Sequence, residues 1–264
     1  MTDCELCAEL TECLQHDRGA ALATLTAVDG SSPGKEGFML LVREDGTTCG
    51  TVGGGNIEKI VTDLAMKCMA RGRSGRYEFN LADGGDAGMQ CGGTNEVFIR
   101  VFRPKKKLLL VGGGHIGCEL YELGRRLDFT VVMFDDRAEY CSKERFPAAA
   151  ELHPGDIAQN LAQYPLDDQC HVVIATHGHC HDEAALRAVI RREAAYIGMI
   201  GSRKKVPGIL AKLQGEGVPA EKVRRVYSPI GLKLGGGSPA EIALSVMAEI
   251  LMVKNHGAMG HMRD

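Results

Sequence analysis

The sequence predicts an α/β protein in two parts: a small α+β domain over residues 1–103, then a domain built on a doubly wound parallel sheet over residues 104–264. Two observations support this prediction. Short turns join neighbouring β-like runs in the first part, whereas short apolar strands alternate with helical stretches after Pro104. Alternation of this kind indicates βαβ crossovers and therefore a parallel sheet.

The first part opens with an amphipathic helix, because Leu6, Leu10 and Leu14 recur at helical spacing. A second helix is predicted over residues 57–70, where apolar side chains again repeat on one face. Four strand-like runs complete this part, at residues 21–28, 39–43, 76–81 and 96–102. Strands joined by short turns and flanked by helices are typical of a small α+β domain.

The second part contains four short apolar strands separated by helical stretches, at residues 108–111, 130–134, 172–176 and 196–200. A last helix is predicted to start at Ser238. Serine is a good N-cap, Pro239 suits the first helical position, and Glu241 completes a capping box.

Composition and charge exclude several classes of protein. The formal net charge of -3 argues against nucleic acid as the main partner, because phosphate backbones attract strongly basic surfaces. No apolar run approaches the roughly 18 residues that a membrane span needs. Asp3 and Glu5 stand where a secretory signal would carry basic residues. We therefore expect a cytoplasmic protein whose ten cysteines are reduced.

One glycine-rich loop lies between the first strand of the second part and the helix that follows. Gly112, Gly114 and Gly117 fit the pattern G-x-G-x-x-G, and Asp135 ends the next strand, about the 20 residues further on that a ribose-binding acid requires. This context predicts a Rossmann-like nucleotide or phosphate site. The alternative is that the glycines only allow the helix to pack closely on the sheet. His115, in the first turn of the helix, either takes part in chemistry or packs.

A second glycine-rich loop belongs to the first part, in GTVGGGNIE at residues 50–58. Gly53, Gly54 and Gly55 precede a helix that Asn56 is placed to cap, so the loop is a further candidate for binding an anion. A tight turn with no ligand is the alternative. In the second part, Arg203 lies in a basic turn after a strand, where it either clamps an anion or is simply solvated.

Cys91 is the candidate for sulfur chemistry. It lies in a loop flanked by glycines, in the run MQCGG, whereas a core cysteine usually lies within an apolar run. Accessible thiolates serve as nucleophiles, sulfur carriers or ligands for soft metals. An unremarkable loop thiol is the alternative.

Three alternate histidines follow the third strand of the second part. His177, His179 and His181 would share one face of an extended segment, and Asp182 could join them. The paired four-ligand spacing of a structural zinc site is absent, and loops that bind ligands cluster at this edge of a parallel sheet in any case. We therefore assign no metal site from the sequence, and metal binding by this cluster stays an open question.

Several motifs occur in one order between residues 30 and 250: GSSPGKEG, GTVGGGNIE, MQCGG, VGGGHIG, FDDR, YIGMIGSRKK, SPIGL and SPAEIALSVMAEI. With them the chain resembles the xanthine dehydrogenase accessory family, XdhC/CoxI. It departs from the family pattern at Gly34, where a basic residue is usual, and at Gly113, which replaces an alanine.

The resemblance implies a maturation factor for the molybdenum cofactor, built from a family-specific N-terminal domain and a Rossmann-like domain, often as a homodimer. Such proteins bind the pterin cofactor while it is sulfurated, with a cysteine desulfurase as the sulfur source. They then insert it into a molybdenum hydroxylase such as xanthine dehydrogenase. This role is that of an accessory protein rather than an enzyme.

The chemistry of the individual residues is compatible with that role. Molybdopterin carries a phosphate, which suits glycine-rich helix N-termini, and its metal is thiophilic, which suits Cys91. Two other interpretations stay open. One is an NAD(P)-dependent oxidoreductase that uses the Rossmann-like loop, although the sequence lacks a clear acid–base pair for it. The other is a scaffold with a degenerate nucleotide site.

Overall fold

The computed structural model describes residues 2–80, 93–177, 179–202, 204 and 206–263, apart from the side chains of His179 and Cys180. The chain divides into two compact units, Met1–Pro104 and Lys105–Asp264. The first contains a five-stranded antiparallel sheet and the second a six-stranded parallel sheet. The predicted fold class is confirmed. None of the described helices has the length and apolar character that a membrane crossing requires.

The first unit places one helix on each face of its sheet. Its elements are α1 (Asp3–Gln15), β1 (Ala20–Asp29), β2 (Met39–Arg43), β3 (Thr48–Gly50), α2 (Asn56–Arg71), β4 (Gly75–Asn80) and β5 (Thr94–Phe102). The strand order is β3-β2-β1-β5-β4. On β1, Ala21, Ala23 and Leu25 pack against the α2 face, whereas the alternate residues Ala20 and Leu22 pack against α1. This period of two lets one strand contribute to two cores.

The second unit is a Rossmann-type sheet. Its elements are β6 (Lys107–Val111), α3 (His115–Arg126), β7 (Thr130–Asp135), β8 (Glu151–Pro154), α4 (Ile157–Gln163), β9 (Cys170–Ile174), α5 (His179–Val189), β10 (Tyr196–Met199), α6 (Val206–Gly215), α7 (Ala220–Arg224), β11 (Val226–Tyr227) and α8 (Pro239–Lys254). The strand order is β8-β7-β6-β9-β10-β11, all parallel. Counted from β6, this is the 3-2-1-4-5-6 order of dinucleotide-binding sheets.

Both faces of this sheet are buried, which explains why its strands are continuously apolar. On β6, Leu109 and Val111 pack toward α4, α5 and α6, whereas Leu108 and Leu110 pack toward α3 and α8. The capping box predicted for α8 is confirmed: the Ser238 hydroxyl accepts from the backbone N–H of Glu241, whose carboxylate accepts from the backbone N–H of Ser238.

Candidate functional site

The loop of residues 112–114 lies at the carboxyl edge of the parallel sheet, between β6 and α3. The neighbours of β6 are β7 on one side and β9 on the other, so the chain leaves β6 where the strand order reverses direction. In open α/β sheets, ligands bind in the crevice at such a switch point. The fold therefore gives this loop the position that the sequence predicted for it.

Two of the three motif glycines are required by close packing. Gly112 has a φ of 119°, and a Cβ on it would overlap the carbonyl oxygen of Ala175. A Cβ on Gly117 would overlap the carbonyl oxygen of Gly112, because α3 starts directly against the end of β6. A larger residue at Gly117 would push the helix away from the end of β6, and one at Gly112 would push away the segment that follows β9.

Gly114 differs from these two glycines. It is the N-cap of α3 with a φ of −72°, which any residue can adopt, and a Cβ on it would find no atom within 4 Å. The glycine is therefore not needed for the fold of the described residues. A side chain here would instead fill the space in front of the helix N-terminus, where a phosphate group is favoured by backbone N–H groups and the helix dipole.

Packing also explains Gly113, one of the two positions at which the sequence departs from the pattern of the family it resembles. A Cβ at this position would overlap the carbonyl oxygen of Tyr140, in the segment that follows β7. The absence of a side chain lets that segment approach the loop. Arg145 is brought to the same place and donates from Nη2 to the Gly113 carbonyl oxygen over 3.0 Å.

Asp135 fastens this loop to the end of β7. Its side chain is almost completely buried, at 2% exposed. Oδ2 accepts from the backbone N–H of Gly113 at 2.8 Å and from Nη2 of Arg137 at 3.0 Å, while Oδ1 accepts from the backbone N–H and Nε of Arg137 at 3.0 and 2.9 Å. Burial alone would raise the pKa of Asp135, but the hydrogen bonds from Arg137 and Gly113 hold the pKa below its ordinary value.

The assignment of Asp135 to a ribose hydroxyl stays a prediction, and the geometry shows which groups of the chain the carboxylate meets. Four donors from the chain itself already engage its two oxygens. A ribose would have to displace the Arg137 guanidinium, which forms a bidentate pair with the carboxylate and lies 3.6 Å above the Tyr140 ring. Asp135 is therefore a positioning residue in this conformation.

A cationic pair beside the loop was not predicted from the sequence. The guanidinium of Arg145 lies 4.8 Å from the centre of the same Tyr140 ring that Arg137 covers, and Arg145 is exposed. The two arginines are brought together by the turn after β7. A run of mixed charges at residues 135–145 gave no periodic signal that could have identified them.

In the glycine-rich loop of the first unit, a carboxylate of the chain itself already accepts a hydrogen bond from the backbone. Gly53, Gly54 and Gly55 have φ values of 128°, 78° and 68°, which favour glycine. The Glu58 carboxylate accepts from the backbone N–H of Gly54 at 3.0 Å and from the Thr51 hydroxyl at 2.5 Å. A phosphate at this helix N-terminus would compete with Glu58.

The cap of α2 corrects a prediction. Gly55 is the N-cap, without a side-chain hydrogen bond, and Asn56 is the first helical residue. The predicted cap at Asn56 is wrong, because the left-handed backbone of Gly55 turns the chain into the helix one residue earlier.

Two predicted residues, Cys91 and Arg203, lie outside the described residues. Two residues after Cys91, Gly93 is buried, and a Cβ on it would lie 2.6 Å from the carbonyl oxygens of Asp29 and Ser31. In the second unit, His115 is exposed at the first position of α3.

The histidine segment also differs from its predicted arrangement. The Asp182 carboxylate is nearly buried and accepts from the backbone N–H and hydroxyl of Thr176, at 3.2 and 2.6 Å. It therefore fixes the turn into α5. Asp136, which follows β7 on the far side of β6 from β9, lies beside His177 and His181.

Sequence profiles of two parts of one family match this chain. The profile of the XdhC Rossmann domain matches residues 108–250, and the profile of the XdhC and CoxI family matches residues 13–80. The first match covers more than half of the chain. The protein belongs to the XdhC and CoxI family.

Three relatives are similar over much of the chain. The uncharacterized protein YqeB of Escherichia coli is 33% identical over 92% of this chain and 45% of its own length. A Bacillus subtilis protein described as a probable xanthine dehydrogenase component is 32% identical over 63% of this chain and 48% of its own length. The molybdenum cofactor insertion chaperone PaoD of Escherichia coli is 25% identical over 93% of this chain and 86% of its own length.

This member of the family spans about half the length of the first two relatives. Among solved structures, a Bacillus halodurans protein described as a xanthine dehydrogenase matches with a TM-score of 0.55 and 24% identity, over 98% of this chain and 97% of that one. That likeness concerns the fold.

Proposed function

We propose that this protein binds the molybdenum cofactor, supports its sulfuration and inserts it into a molybdenum hydroxylase of the xanthine dehydrogenase type. The observation that carries the proposal is the similarity to PaoD, a molybdenum cofactor insertion chaperone, over nearly the whole of both chains. Membership of the XdhC and CoxI family supports it. A cysteine desulfurase as sulfur source and a homodimer as the working form belong to the same proposal.

The residues of the second unit fit the phosphate end of the cofactor. Gly114 leaves open space in front of α3, where a helix N-terminus favours an anion. Arg145 is exposed beside this loop and held by the Gly113 carbonyl oxygen, so its guanidinium is available close to the helix start. The loop of the first unit fits less well, because the Glu58 carboxylate already accepts from the Gly54 backbone N–H.

Gly114 and Arg145 then have distinct tasks. Gly114 admits the phosphate to the backbone of the loop, and Arg145 contributes positive charge and bidentate hydrogen bonding. Asp135 and Arg137 hold the loop on the sheet without touching the ligand. When bound, the cofactor supplies a thiophilic molybdenum centre that exchanges an oxo ligand for sulfur. Cys91 is the residue that we assign to contact with this centre.

The phosphate arm of the proposal is tested with Arg145→Ala. The variant protein is co-purified with cofactor from cells that make it, and bound molybdenum and oxidised pterin are measured. We expect at least a tenfold loss of both. Arg125→Ala is the matched control, because it removes the same charge near the C-terminal end of α3, where Arg125 lies over the Tyr121 ring. Equal cofactor content in both variants would contradict a phosphate site at residues 112–114.

The sulfur arm is tested with Cys91→Ser, co-expressed with a client hydroxylase. Serine keeps most of the shape but replaces a soft thiolate with a hard hydroxyl, so we expect the client to lose cyanide-releasable sulfur and activity while its molybdenum is retained in part. Cys4→Ser is the control, since Cys4 is an exposed thiol on α1. If the client made with Cys91→Ser has wild-type activity and cyanide-releasable sulfur, Cys91 has no part in sulfuration.

The strand order of the second unit favours one alternative, an NAD(P)-dependent oxidoreductase. Against it, the acid at the end of β7 is engaged by Arg137. We expect the purified, metal-free protein to transfer no hydride to or from nicotinamide cofactors with purine or aldehyde substrates. Robust turnover would promote this alternative, whereas cofactor binding without turnover or client activation would favour a scaffold.

A further inference from the structure

Three metal-ligating side chains from two separate parts of the sequence meet at the carboxyl edge of the parallel sheet. Asp136 follows β7, His177 follows β9, and His181 lies in the first turn of α5. One ligand atom from each of the three residues lies within 4.8 Å of the others. We call this group the Asp136 cluster.

The individual distances show how the cluster is arranged. Nδ1 of His177 lies 3.6 Å from Oδ1 of Asp136, and Nε2 of His181 lies 4.0 Å from Oδ2 of Asp136. The two imidazole centroids are 5.2 Å apart and their planes are tilted by 32°. Both rings therefore turn a nitrogen toward the same carboxylate.

One oxygen of the Asp136 carboxylate lacks a hydrogen bond from any described residue. This oxygen, Oδ1, is buried. Nδ1 of His177 at 3.6 Å and Nε of Arg137 at 4.0 Å are beyond hydrogen-bond distance. A buried carboxylate oxygen left unpaired costs free energy, which a cation bound at the oxygen would offset.

The charge balance also favours a cation here. Among the described residues, the Arg137 guanidinium lies close to Asp136, and its bidentate pair with Asp135 compensates its charge. The Asp136 carboxylate is then left with a net negative charge facing two imidazoles. Neutral imidazole is a good ligand for divalent transition metals.

We propose that Asp136, His177 and His181 bind one divalent first-row transition-metal ion, such as Zn²⁺. Two histidines and one carboxylate form the ligand set of sites that keep coordination positions open for water or a second ligand. Metal–nitrogen bonds of about 2.0–2.1 Å bring tetrahedral ligand atoms to about 3.3 Å from each other. The observed separations of 3.6 and 4.0 Å thus need to shrink by about 0.3 and 0.7 Å, which rotation of half-exposed side chains supplies.

This proposal does not depend on the molybdenum cofactor. It adds a second metal to the protein, at residues that the sequence by itself left unassigned. Asp136 is the next residue after Asp135, which accepts a hydrogen bond from the glycine-rich loop. A metal at Asp136 therefore also adds positive charge to that edge of the sheet.

The test measures metal binding to the purified full chain, prepared with chelator and without the molybdenum cofactor. The background carries Cys4→Ser and Cys7→Ser, because these two exposed thiols on α1 could bind zinc by themselves. Titration calorimetry with Zn²⁺ gives stoichiometry and affinity, and the visible spectrum of the Co²⁺ form reports the ligand type. We expect one equivalent of either metal, and a Co²⁺ spectrum without a thiolate charge-transfer band.

Three variants remove one ligand each: Asp136→Asn, His177→Gln and His181→Gln. Each is expected to weaken Zn²⁺ binding by at least about 100-fold, since loss of even an indirect partner of a metal ligand costs about 10- to 100-fold. His16→Gln is the matched control, because it removes an exposed histidine from α1's end in the other unit. It should bind like the parent.

The outcomes separate this proposal from the proposed function. If the parent takes up no Zn²⁺, or if the three variants retain its affinity, the Asp136 cluster is not a metal site. A thiolate band that persists in His177→Gln and His181→Gln assigns the metal to a cysteine and also overturns the proposal. Client activation is assayed separately, so loss of metal binding with an active client leaves the proposed function standing.

Discussion

Replacing Asp135 by asparagine removes one negative charge from the fastening between the glycine-rich loop and β7, with almost no change in size. The carboxylate is 2% exposed and accepts four hydrogen bonds, from the Gly113 backbone and from Arg137. The amide keeps one accepting oxygen. Its NH₂ group must face donors that previously met the second carboxylate oxygen.

The magnitude follows from these contacts. Removing one partner of a buried ion pair costs about 3–5 kcal/mol. The Arg137 side chain is 27% exposed, so water recovers part of its solvation and the expected loss is about 2–4 kcal/mol. For a unit of this size, that corresponds to a fall in Tm of roughly 5–10 °C.

The assay is differential scanning calorimetry of the full chain, with Asp136→Asn as the matched control one residue along the chain. Oδ1 of Asp136 has no hydrogen-bond partner among the described residues, so the control should stay within about 1 kcal/mol of the wild type without metal. The reasoning is refuted if both variants unfold at the same temperature.

Acid titration gives a second measurement on the same residue. The pKa of Asp135 is held below its ordinary value in the folded protein, so its contribution is present above the unfolded pKa of about 3.9. That contribution is lost as the pH falls through the lower folded pKa. The stability of Asp135→Asn should therefore depend less on pH below about 4 than that of the wild type.

Three further predictions follow from single contacts. Gly117→Ala should lower the free energy of unfolding by about 1–3 kcal/mol, because its Cβ overlaps the Gly112 carbonyl oxygen. Gly114→Ala should lower it by less than about 1 kcal/mol but weaken phosphate binding. Thermal unfolding measures the first effect, and ligand titration measures the second. Tyr196→Phe should cost about 1–3 kcal/mol in urea unfolding, since it removes the hydroxyl that donates to the buried Glu249 carboxylate; an unchanged midpoint would contradict this. Burial lowers the pKa of His171 to about 4, so the unfolded chain takes up a proton at a higher pH than the folded chain. The free energy of unfolding should therefore fall by about 3 kcal/mol as the pH drops from 6.5 to 4. His171→Gln should make that dependence on pH weaker.

The sequence by itself determined the fold class because its signals are local. Apolar runs such as residues 108–111, followed by glycines and a helical period, specify a strand–loop–helix unit wherever they occur. The Ser238 capping box is local in the same way. The strands β3, β8 and β11 were missed, because two to four residues are too few to show a period.

The glycine pattern was also readable in advance, but the task of each glycine was not. Spacing alone groups Gly112, Gly114 and Gly117, whereas only the packed structure shows that two of them face carbonyl oxygens and the third faces open space. That distinction depends on where the carbonyl oxygens of Ala175 and Gly112 lie, which the spacing of the glycines does not reveal.

The tertiary structure alone decided the roles of the two adjacent acids. In a strand, successive side chains point to opposite sides, so a shift of one residue exchanges what each acid meets. Asp135 meets the glycine loop and Arg137, and Asp136 meets histidines that follow another strand. The sequence specified that parallel strands would bring their carboxyl ends to one edge; which side chains meet there depends on how the loops close, and that is set by long-range packing.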